Sequence, residues 1–282
     1  MLNDVFVHLD GSADDDVRIA HAQKLASLVG SNLIGIFTNP LVEYAYVLAV
    51  QSGLAPMEPI IEAQESTRRE GDRAVARLQQ KLANFSKPSV IRRLDIGTSQ
   101  IVSRVVDLSH WADVFVAMAP YGREAVPLWN NLVEGVMFES GRPIYLVPRA
   151  RPAPSNLENV LIAWSPTREA TRAVAGALPL LRSSKNIRLV AIDTEASIEL
   201  ENIFDPGVIS AYFDHHGLQV GVDSFKLKGR AVFDILCDEA RKMHADVIVM
   251  GAYGHSRLRE WVLGGTTRNM IESAGIPLLL AH

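Results

Sequence analysis

The sequence contains a single cysteine, Cys237, among its 282 residues. One cysteine cannot form an intramolecular disulfide or a cysteine-rich zinc site, and such sparse use is typical of a reducing compartment. The formal net charge of −4 is also small. A slightly acidic chain is a poor candidate for a nucleic-acid-binding protein, because such proteins gain much of their affinity from basic side chains on phosphates.

Long hydrophobic runs and a targeting signal are missing as well. The longest strongly apolar stretch, residues 44–50, is far shorter than the roughly 20 residues that a membrane helix needs. Acidic residues stand near the start of the chain, where a secretory signal would carry Lys or Arg. We therefore predict a cytoplasmic protein without membrane contact.

Hydrophobic residues make up 48% of the chain, which is enough for a packed core. The length fits one large domain or two small ones, at roughly 100–200 residues per domain. A repeat within the sequence favours two. Each half begins with a short apolar run, an alanine-rich amphipathic stretch and a second apolar run, the pattern of strand, helix and strand. These segments are residues 5–12, 17–28 and 33–37, and residues 159–167, 169–181 and 187–192.

The two halves also end alike. In each, a glycine and a helical pattern lead into an Ala-Asp-Val-Xaa-Val strand, and a closing apolar strand follows. The helical patterns cover residues 97–110 and 229–243, the strands residues 112–116 and 245–249, and the closing segments residues 139–147 and 272–280.

Strands that alternate with helices predict a parallel sheet with helices on both faces. The predicted fold class is therefore α/β, with two tandem, doubly wound, Rossmann-like domains at residues 1–149 and 157–282. Residues 149–156 contain two prolines and no periodicity, which is typical of a linker.

Residues 39–67 distinguish the first half from the second. They contain no clear strand, and Gly53, Pro56 and Pro59 are expected to interrupt any helix. Both a lid and a packed insertion fit this composition.

Acidic and hydroxyl side chains stand at the first helix start of each half. Asp14, Asp15 and Asp16 do so in the first half, and Thr167 and Glu169 in the second. Such residues cap exposed N–H groups and complement the helix dipole, so we expect them to stabilise the two helix starts.

A glycine pattern in the second half carries the chemical signal. Gly251 and Gly254 follow a predicted strand, and after nine further residues Gly264, Gly265 and Thr266 begin a predicted helix. Glycine lets the backbone approach a phosphate and tolerates positive φ. The loop would bring backbone N–H groups and the positive end of a helix dipole together, which favours an anion. Open α/β sheets bind ligands at this edge, the carboxyl ends of their strands.

The universal stress protein family has a similar glycine spacing and a similar order of strands and helices. Residues 245–254 and 276–280 also resemble that family. The resemblance implies a fold that binds an adenine nucleotide (ATP, ADP or AMP), with Mg²⁺ as an accompanying ion left open. In binding members an aspartate after the first strand lies near the ribose and base, the end of the second strand adds backbone contacts, and the glycine loop holds the phosphates. By position, the implied cofactor-binding residues are Ala163, Trp164, Ser165, Ala191, Gly251, Gly254, Gly264, Gly265 and Thr266.

Two of these positions depart from the family pattern. Ser165 stands where the aspartate is expected, and Gly265 stands where Ser or Thr is usual. A neutral hydrogen bond contributes about half as much as a charge-assisted one, so Ser165 is expected to weaken nucleotide binding by about ten-fold or more. Gly265 loses a hydroxyl donor and keeps its backbone N–H.

The first half has the opposite defect. Asp10 occupies the aspartate position, where it also fits a turn or helix-cap residue, but the loop that follows the fourth strand is altered. Pro120 removes a backbone N–H donor, and Asn130 and Asn131 replace the expected glycines. We predict a degenerate first domain that binds nucleotide weakly or not at all.

Other reactive side chains have simpler interpretations. His215 and His216 lack spaced metal-ligand partners, so we expect a solvated loop there, and no metal site is predicted. Cys237 lies in an apolar helical pattern and is expected to be a core thiol.

We predict a stress-response regulatory protein that binds an adenine nucleotide in its C-terminal domain without efficient catalysis, because the loop lacks the base and metal-binding carboxylates of phosphoryl transfer. Two alternatives stay open: a nucleotide-independent protein-interaction module of the same fold, and a nucleotide-dependent hydrolase or transferase. The expected partners are the nucleotide and an unidentified protein. The closing strands are expected to pair the two halves, and a further homodimer is left open.

Overall fold

The computed structural model describes residues 3–41, 51–53, 58–121, 126–149, 151–193, 205–254 and 265–282. In the first half, strands and helices alternate along the chain. The elements are β1 (Asp4–Leu9), α1 (Asp14–Val29), β2 (Asn32–Leu41), α2 (Glu58–Leu82), β3 (Ser89–Gly97), α3 (Thr98–Ser109), β4 (Val114–Met118), α4 (Pro127–Glu139) and β5 (Ile144–Val147).

The second half repeats this order, as the sequence predicts. Its elements are β6 (Asn159–Trp164), α5 (Arg168–Leu181), β7 (Asn186–Asp193), α6 (Pro206–His215), β8 (Val220–Lys226), α7 (Val232–Lys242), β9 (Val247–Gly251), α8 (Thr266–Ser273) and β10 (Leu278–Ala281). The predicted mixed α/β class with parallel strand order is confirmed.

All ten strands belong to one sheet, in the order β3-β2-β1-β4-β5-β10-β9-β6-β7-β8. The strand pairs within each half are parallel, whereas β5 and β10 pair antiparallel, with Leu146 opposite Leu278 and Ile144 opposite Leu280. Every residue of β5 and β10 is buried. The expected pairing of the halves through their closing strands is therefore confirmed. It removes two apolar sheet edges from solvent.

The hydrophobic core forms one layer on each face of this sheet, and both layers cross from one half to the other. Leu25 of α1 and Ala177 of α5 belong to the first layer, and Val136 of α4 and Leu236 of α7 belong to the second. The helices α1 and α5 touch each other. The two halves are therefore packed as one continuous body.

The linker is held by both halves. The carbonyl oxygen of Arg151 accepts a hydrogen bond from His21 Nε2 at 3.1 Å, and Nη1 of Arg151 donates to the carbonyl of Gly275 at 2.5 Å. Nδ1 of His21 lies 3.3 Å from the hydroxyl of Tyr145, a fully buried residue of β5. These contacts tie the connection between the halves to α1 and to the central strand pair.

Residues 39–67 differ from the sequence prediction at both ends. The strand β2 extends to Leu41, and α2 already begins at Glu58 with Pro59 in its first turn. Proline is tolerated there because the first N–H groups of a helix have no intrahelical acceptor. Residues 42–50 and 54–57 lie outside the described residues, so the choice between a lid and an insertion stays open.

Among the helices formed by the described residues, none has both the length and the hydrophobicity needed to cross a membrane.

Candidate functional site

The carboxyl ends of β6, β7 and β9 bring four of the predicted site residues to one edge of the sheet. Trp164, the last residue of β6, pairs with Ala191 of β7, and Ala163 pairs with Met250 of β9. Gly251 ends β9. Because the chain runs from β6 to β7 on one side while β9 flanks β6 on the other, this edge is the topological switch point of the second half.

An apolar cavity of about 200 Å³ lies between α5 and α6, beside this edge. Its walls come from α5, α6 and the ends of β6 and β7. Leu189 and Phe213 among its lining residues are buried, whereas Val208 and Tyr212 are exposed. A comparable cavity of about 150 Å³ is known to admit benzene, so this one has room for an aromatic ring. The lining residues are Trp164, Thr171, Val174, Leu189, Val208, Ile209, Tyr212 and Phe213.

Of the residues that line this cavity, only Trp164 was predicted from the sequence as a site residue. The available signal was the helical spacing of Val208, Ile209, Tyr212 and Phe213, which places them on one face of α6. Nothing local indicates that this face stands away from α5 and leaves a space.

The two described glycines of the loop after β9 pack against the first turn of α5. A Cβ on Gly251 would lie 2.6 Å from the backbone nitrogen of Ala170 and 2.8 Å from the carbonyl carbon of Glu169. A Cβ on Gly254 would lie 3.2 Å from Oε2 of Glu169. Neither glycine has positive φ, whereas Tyr253 between them has a φ of 54°. Close packing therefore explains these glycines, and the expected use of positive φ is wrong for them.

The start of α8 faces the same loop. Gly265 precedes the helix in extended conformation, and Thr266 is the first helical residue. The first N–H groups of α8 have no intrahelical acceptor, so they form a donor set for an anion. Oγ1 of the buried Thr267 accepts a hydrogen bond from the Tyr253 nitrogen at 3.2 Å, which makes Thr267 a support of the loop. Gly264 lies outside the described residues.

Ser165 is exposed directly after β6, at the position of the family aspartate. Its carbonyl accepts a hydrogen bond from the Thr167 nitrogen at 2.7 Å. Thr167 caps α5, because Oγ1 accepts from the Ala170 nitrogen at 3.2 Å. The predicted cap is therefore confirmed for Thr167, and the Ser165 side chain stands at the open edge.

Glu169 does not behave as an exposed acid at a helix start. It is only 3% exposed, and its Oε1 accepts a hydrogen bond from Nε of Arg168. Burial acts to raise the pKa of Glu169, but the Arg168 hydrogen bond and charge and the local backbone outweigh it and lower that pKa. A negatively charged carboxylate therefore lies next to Gly251 and Gly254.

The matching crevice of the first half is filled by its own charged side chains. Nη2 of Arg18 lies 2.5 Å from Oδ1 of Asp10 and 2.5 Å from Oδ1 of Asp15, and Nη1 lies 3.0 Å from Nδ1 of His8. Arg18 and Asp15 are almost completely buried. The predicted ribose-binding position, Asp10, is thus committed to an internal ion pair.

Asp15 corrects the expectation that the acids of residues 14–16 cap α1. Its carboxylate accepts hydrogen bonds from the nitrogens of Asp10 at 3.1 Å and Gly11 at 2.8 Å, which lie before the helix. The residue at the cap position, Ala13, makes no side-chain cap. Asp15 therefore shapes the turn after β1, and the helix start does without a side-chain acceptor.

The described residues on either side of the first-half loop pack together as well. Oδ1 of Asn130 accepts a hydrogen bond from the Tyr121 nitrogen at 3.1 Å. The ring of Trp129 packs edge-on against His8, with centroids 4.7 Å apart. The remaining cavity among these residues measures about 20 Å³, close to the space for one water molecule. That the first half binds nucleotide weakly or not at all stays a prediction.

In the buried cluster of the first half, the pKa values of His8 and Asp15 are shifted in opposite directions. Burial and the charge of Arg18 lower the pKa of His8 to about 3, and burial raises the pKa of Asp15 to about 6. For Asp10, burial acts to raise the pKa, but Arg18 outweighs it and the pKa falls to about 2. Between pH 6 and about 4, unfolding therefore adds a proton to His8 and removes one from Asp15, and the two effects on stability cancel.

Asp15→Asn is expected to reveal the contribution of His8 to the pH dependence of the free energy of unfolding. With Asp15 no longer releasing a proton on unfolding, the free energy of unfolding should fall as the pH drops from 6 to 4, by up to about 1.4 kcal/mol per pH unit. The wild type should stay flat in this range relative to the variant. Urea unfolding at several pH values measures both, with the exposed Asp16→Asn as the matched control. Parallel profiles for wild type and Asp15→Asn would contradict the assignment.

His215, His216 and Cys237 lie in or next to helices of the second half. His215 ends α6 and His216 follows it as the C-cap residue. In the part of the chain that the structure describes, no group of three or more His, Cys, Asp or Glu side chains is arranged to hold a metal ion. Cys237 is half-buried against the second core layer, and burial raises the pKa of its thiol.

Aromatic and cation–π contacts join the two halves near Tyr121 and Tyr253. Phe138 of α4 packs against Tyr253, with centroids 5.3 Å apart, and against His282 at 4.9 Å. The Arg268 guanidinium lies 5.1 Å from the ring centre of Tyr121. Residues of the two halves thus contact each other next to the starts of both loops.

The second half of the chain is similar in sequence to a known protein family. Residues 156–282 match the sequence model of the Universal stress protein family. A universal stress protein from Archaeoglobus fulgidus DSM 4304 has a TM-score of 0.75 and 15% identity, over 100% of this chain and 98% of its own. A functionally unknown protein from Pseudomonas aeruginosa PAO1 has a TM-score of 0.61 and 12% identity, over 99% and 92%. No curated protein sequence gives a significant match. The fold likeness extends over both halves.

Proposed function

We propose that the universal stress protein domain at residues 156–282 binds an adenine nucleotide and acts as a regulatory module in a stress response, without efficient catalysis. The observation that carries this proposal is a juxtaposition at the switch point of the second half. An apolar cavity beside Trp164 lies at the same sheet edge as the glycine loop and the N-terminus of α8.

The two parts of this edge suit the two parts of a nucleotide. The cavity beside Trp164 accepts an aromatic ring, and apolar walls favour a purine over water. The N–H groups of Gly265 and Thr266 at the start of α8 suit a phosphate. Ser165 offers one neutral hydroxyl to the ribose, which is weaker than the carboxylate of the family pattern.

The proposed nucleotide site is not expected to catalyse a reaction efficiently. The buried carboxylate near the loop, Glu169, is held by Arg168, so it is poorly placed to act as a mobile general base. Regulation through bound nucleotide needs only a difference in affinity between two states. Accompanying Mg²⁺, a protein partner, a homodimer and a cytoplasmic location remain predictions from the sequence.

The alternative function is a nucleotide-independent interaction module. Ser165 at the aspartate position and the filled crevice around Asp10 favour it, because both weaken the family binding pattern. The two functions differ in one simple measurement. A ligand at 100 times its Kd stabilises a protein by about 2.7 kcal/mol, so adenosine, AMP or ATP should raise the Tm of the full chain. An unchanged Tm with all three at millimolar concentration favours the alternative.

Two substitutions are expected to change nucleotide affinity in opposite directions. Ser165→Asp restores a charged acceptor and should tighten AMP binding by about ten-fold. Val174→Phe places a ring in the cavity and should weaken AMP binding by at least about ten-fold while leaving the Tm of the free protein nearly unchanged, because the cavity accommodates the added volume.

Calorimetric titration of the full chain measures both affinities. The matched control is Val208→Ala at the exposed rim of the cavity, which should change affinity less than Val174→Phe does. Equal AMP affinity in the wild type and Val174→Phe would show that the base does not use this cavity.

A further inference from the structure

Glu169 occupies an unusual place between the two glycines of the loop. Its main chain and Cβ pack against Gly251, where a Cβ would approach the Glu169 carbonyl carbon to 2.8 Å. Its Oε2 reaches Gly254, 3.2 Å from the place of a Cβ. Gly251 and Gly254 therefore both pack against one acidic residue, Glu169, next to the start of the loop that is proposed to hold phosphates.

Among the described residues, the charge of Glu169 is only partly compensated. Arg168 is paired with Glu169, yet the Arg168 side chain is 70% exposed, so solvent screens much of its charge. Arg268 at the start of α8 is paired with Glu272 at 2.8 Å and lies over the ring of Tyr121. Glu169 itself is almost completely buried, so its own charge acts through a medium that screens less.

Glu169 also changes the helix terminus next to the site. It lies in the first turn of α5, where its negative charge offsets the positive end of the helix dipole. Thr167 has already taken up one free N–H group of that turn. Of the two helix starts near the loop, α5 is thus occupied by protein groups, and α8 provides the remaining positive end.

We propose that Glu169 makes this site select adenine compounds with few phosphates, adenosine or its monophosphate, over the triphosphate. This inference rests on the proposed function. Each added phosphate brings more negative charge toward a loop that is backed by a buried carboxylate, and like charges at short range disfavour one another. A neutral nucleoside avoids this repulsion and still fills the cavity beside Trp164.

The test is calorimetric titration of the full chain with adenosine, AMP and ATP, in EDTA. EDTA removes divalent cations, which would bridge a carboxylate and a phosphate and hide the repulsion. The variant is Glu169→Gln, which keeps shape and hydrogen bonding but removes the charge. The matched control is Glu158→Gln before β6, which makes the same change in net charge at the amino end of that strand.

In the wild type, ATP is expected to bind at least about ten-fold more weakly than adenosine. Glu169→Gln should tighten ATP binding by about ten-fold and leave adenosine within two-fold, whereas Glu158→Gln should change neither. The Tm of each free variant checks that the fold is intact. If Glu169→Gln is unstable, Glu169→Ala provides the same comparison.

Three results would overturn the inference, and they differ from one another. Equal binding of ATP and adenosine by the wild type, or equal effects of Glu169→Gln on both ligands, would remove Glu169 as the selecting residue while leaving nucleotide binding in place. Failure of all three compounds to bind the wild type would overturn the proposed function itself, and the selectivity would fall with it.

Discussion

Arg18→Met is expected to lower the free energy of unfolding by about 3–5 kcal/mol at pH 8. Arg18 is the one cation that contacts Asp10, Asp15 and His8 together in the described first-half crevice. Methionine has a similar length and no charge, so the substitution leaves the buried carboxylates of Asp10 and Asp15 without the cation that contacts both of them. The loss comes mainly from those stranded charges and not from the ion pair itself, whose desolvation offsets much of its attraction.

The pH dependence of this loss identifies its cause. The pKa of Asp15 is already raised by burial to about 6, and removal of Arg18 should raise it further. Protonation of Asp15 removes one stranded charge, so the loss should be smaller at pH 5 than at pH 8.

Urea unfolding at both pH values measures this difference. The control is Arg77→Met, since Arg77 also approaches Asp15, at 3.9 Å, but is 48% exposed and should contribute less than about 1 kcal/mol. Equal losses for Arg18→Met and Arg77→Met, or a loss independent of pH, would contradict this account.

Gly251→Ala is expected to destabilise the protein by about 3 kcal/mol, at the upper end of overpacking effects. The added Cβ would meet the backbone of Ala170 and Glu169 at 2.6 and 2.8 Å, and backbone cannot rotate away as a flexible side chain can. Relief requires a shift of the first turn of α5 away from β9. That shift would move Glu169 and the neighbouring edge, so the variant should also lose affinity for adenosine.

The control for Gly251→Ala is Gly221→Ala in β8 of the same half. A Cβ on Gly221 would approach nothing closer than the Ile187 carbonyl oxygen at 3.8 Å, an ordinary contact. Its Tm should therefore stay close to that of the wild type. Thermal unfolding of the two variants and titration with adenosine measure both effects. A Gly251→Ala protein as stable as Gly221→Ala would mean that α5 and β9 are packed less tightly than the structure indicates.

Much of the fold follows from sequence alone because its determinants are local. Apolar runs bounded by turn residues predict β1, β6 and the closing strands, and Thr167 predicts the start of α5. The internal repeat then sets the parallel order. The start of α2 was predicted wrongly because proline has two opposite effects on a helix. Pro59 would interrupt a helix interior, but it is compatible with the first turn of α2.

The candidate site was predictable as a position and less so as a mechanism. The glycine spacing pointed to Gly251 and Gly254, and the resemblance to the family implied Trp164 and Ala191. The reason for glycine is the close approach of α5, a contact between segments about 80 residues apart in the sequence, which no local pattern records. The residue at that contact, Glu169, was predicted only as a favourable acid at a helix start.

The sequence by itself therefore determined the alternation of strands and helices, the internal repeat and the place of the glycine loop after β9. It did so because periodicity, turn residues and repeated sequence segments are local properties of the chain. Only the tertiary structure decided which charges are buried and what they touch. Asp15 and Glu169 both fit the pattern of helix-start acids, yet Asp15 is paired with Arg18 inside a filled crevice, whereas Glu169 is buried against Gly251 and Gly254. Burial and the nearest counter-ion set these outcomes, and both arise from contacts between distant segments.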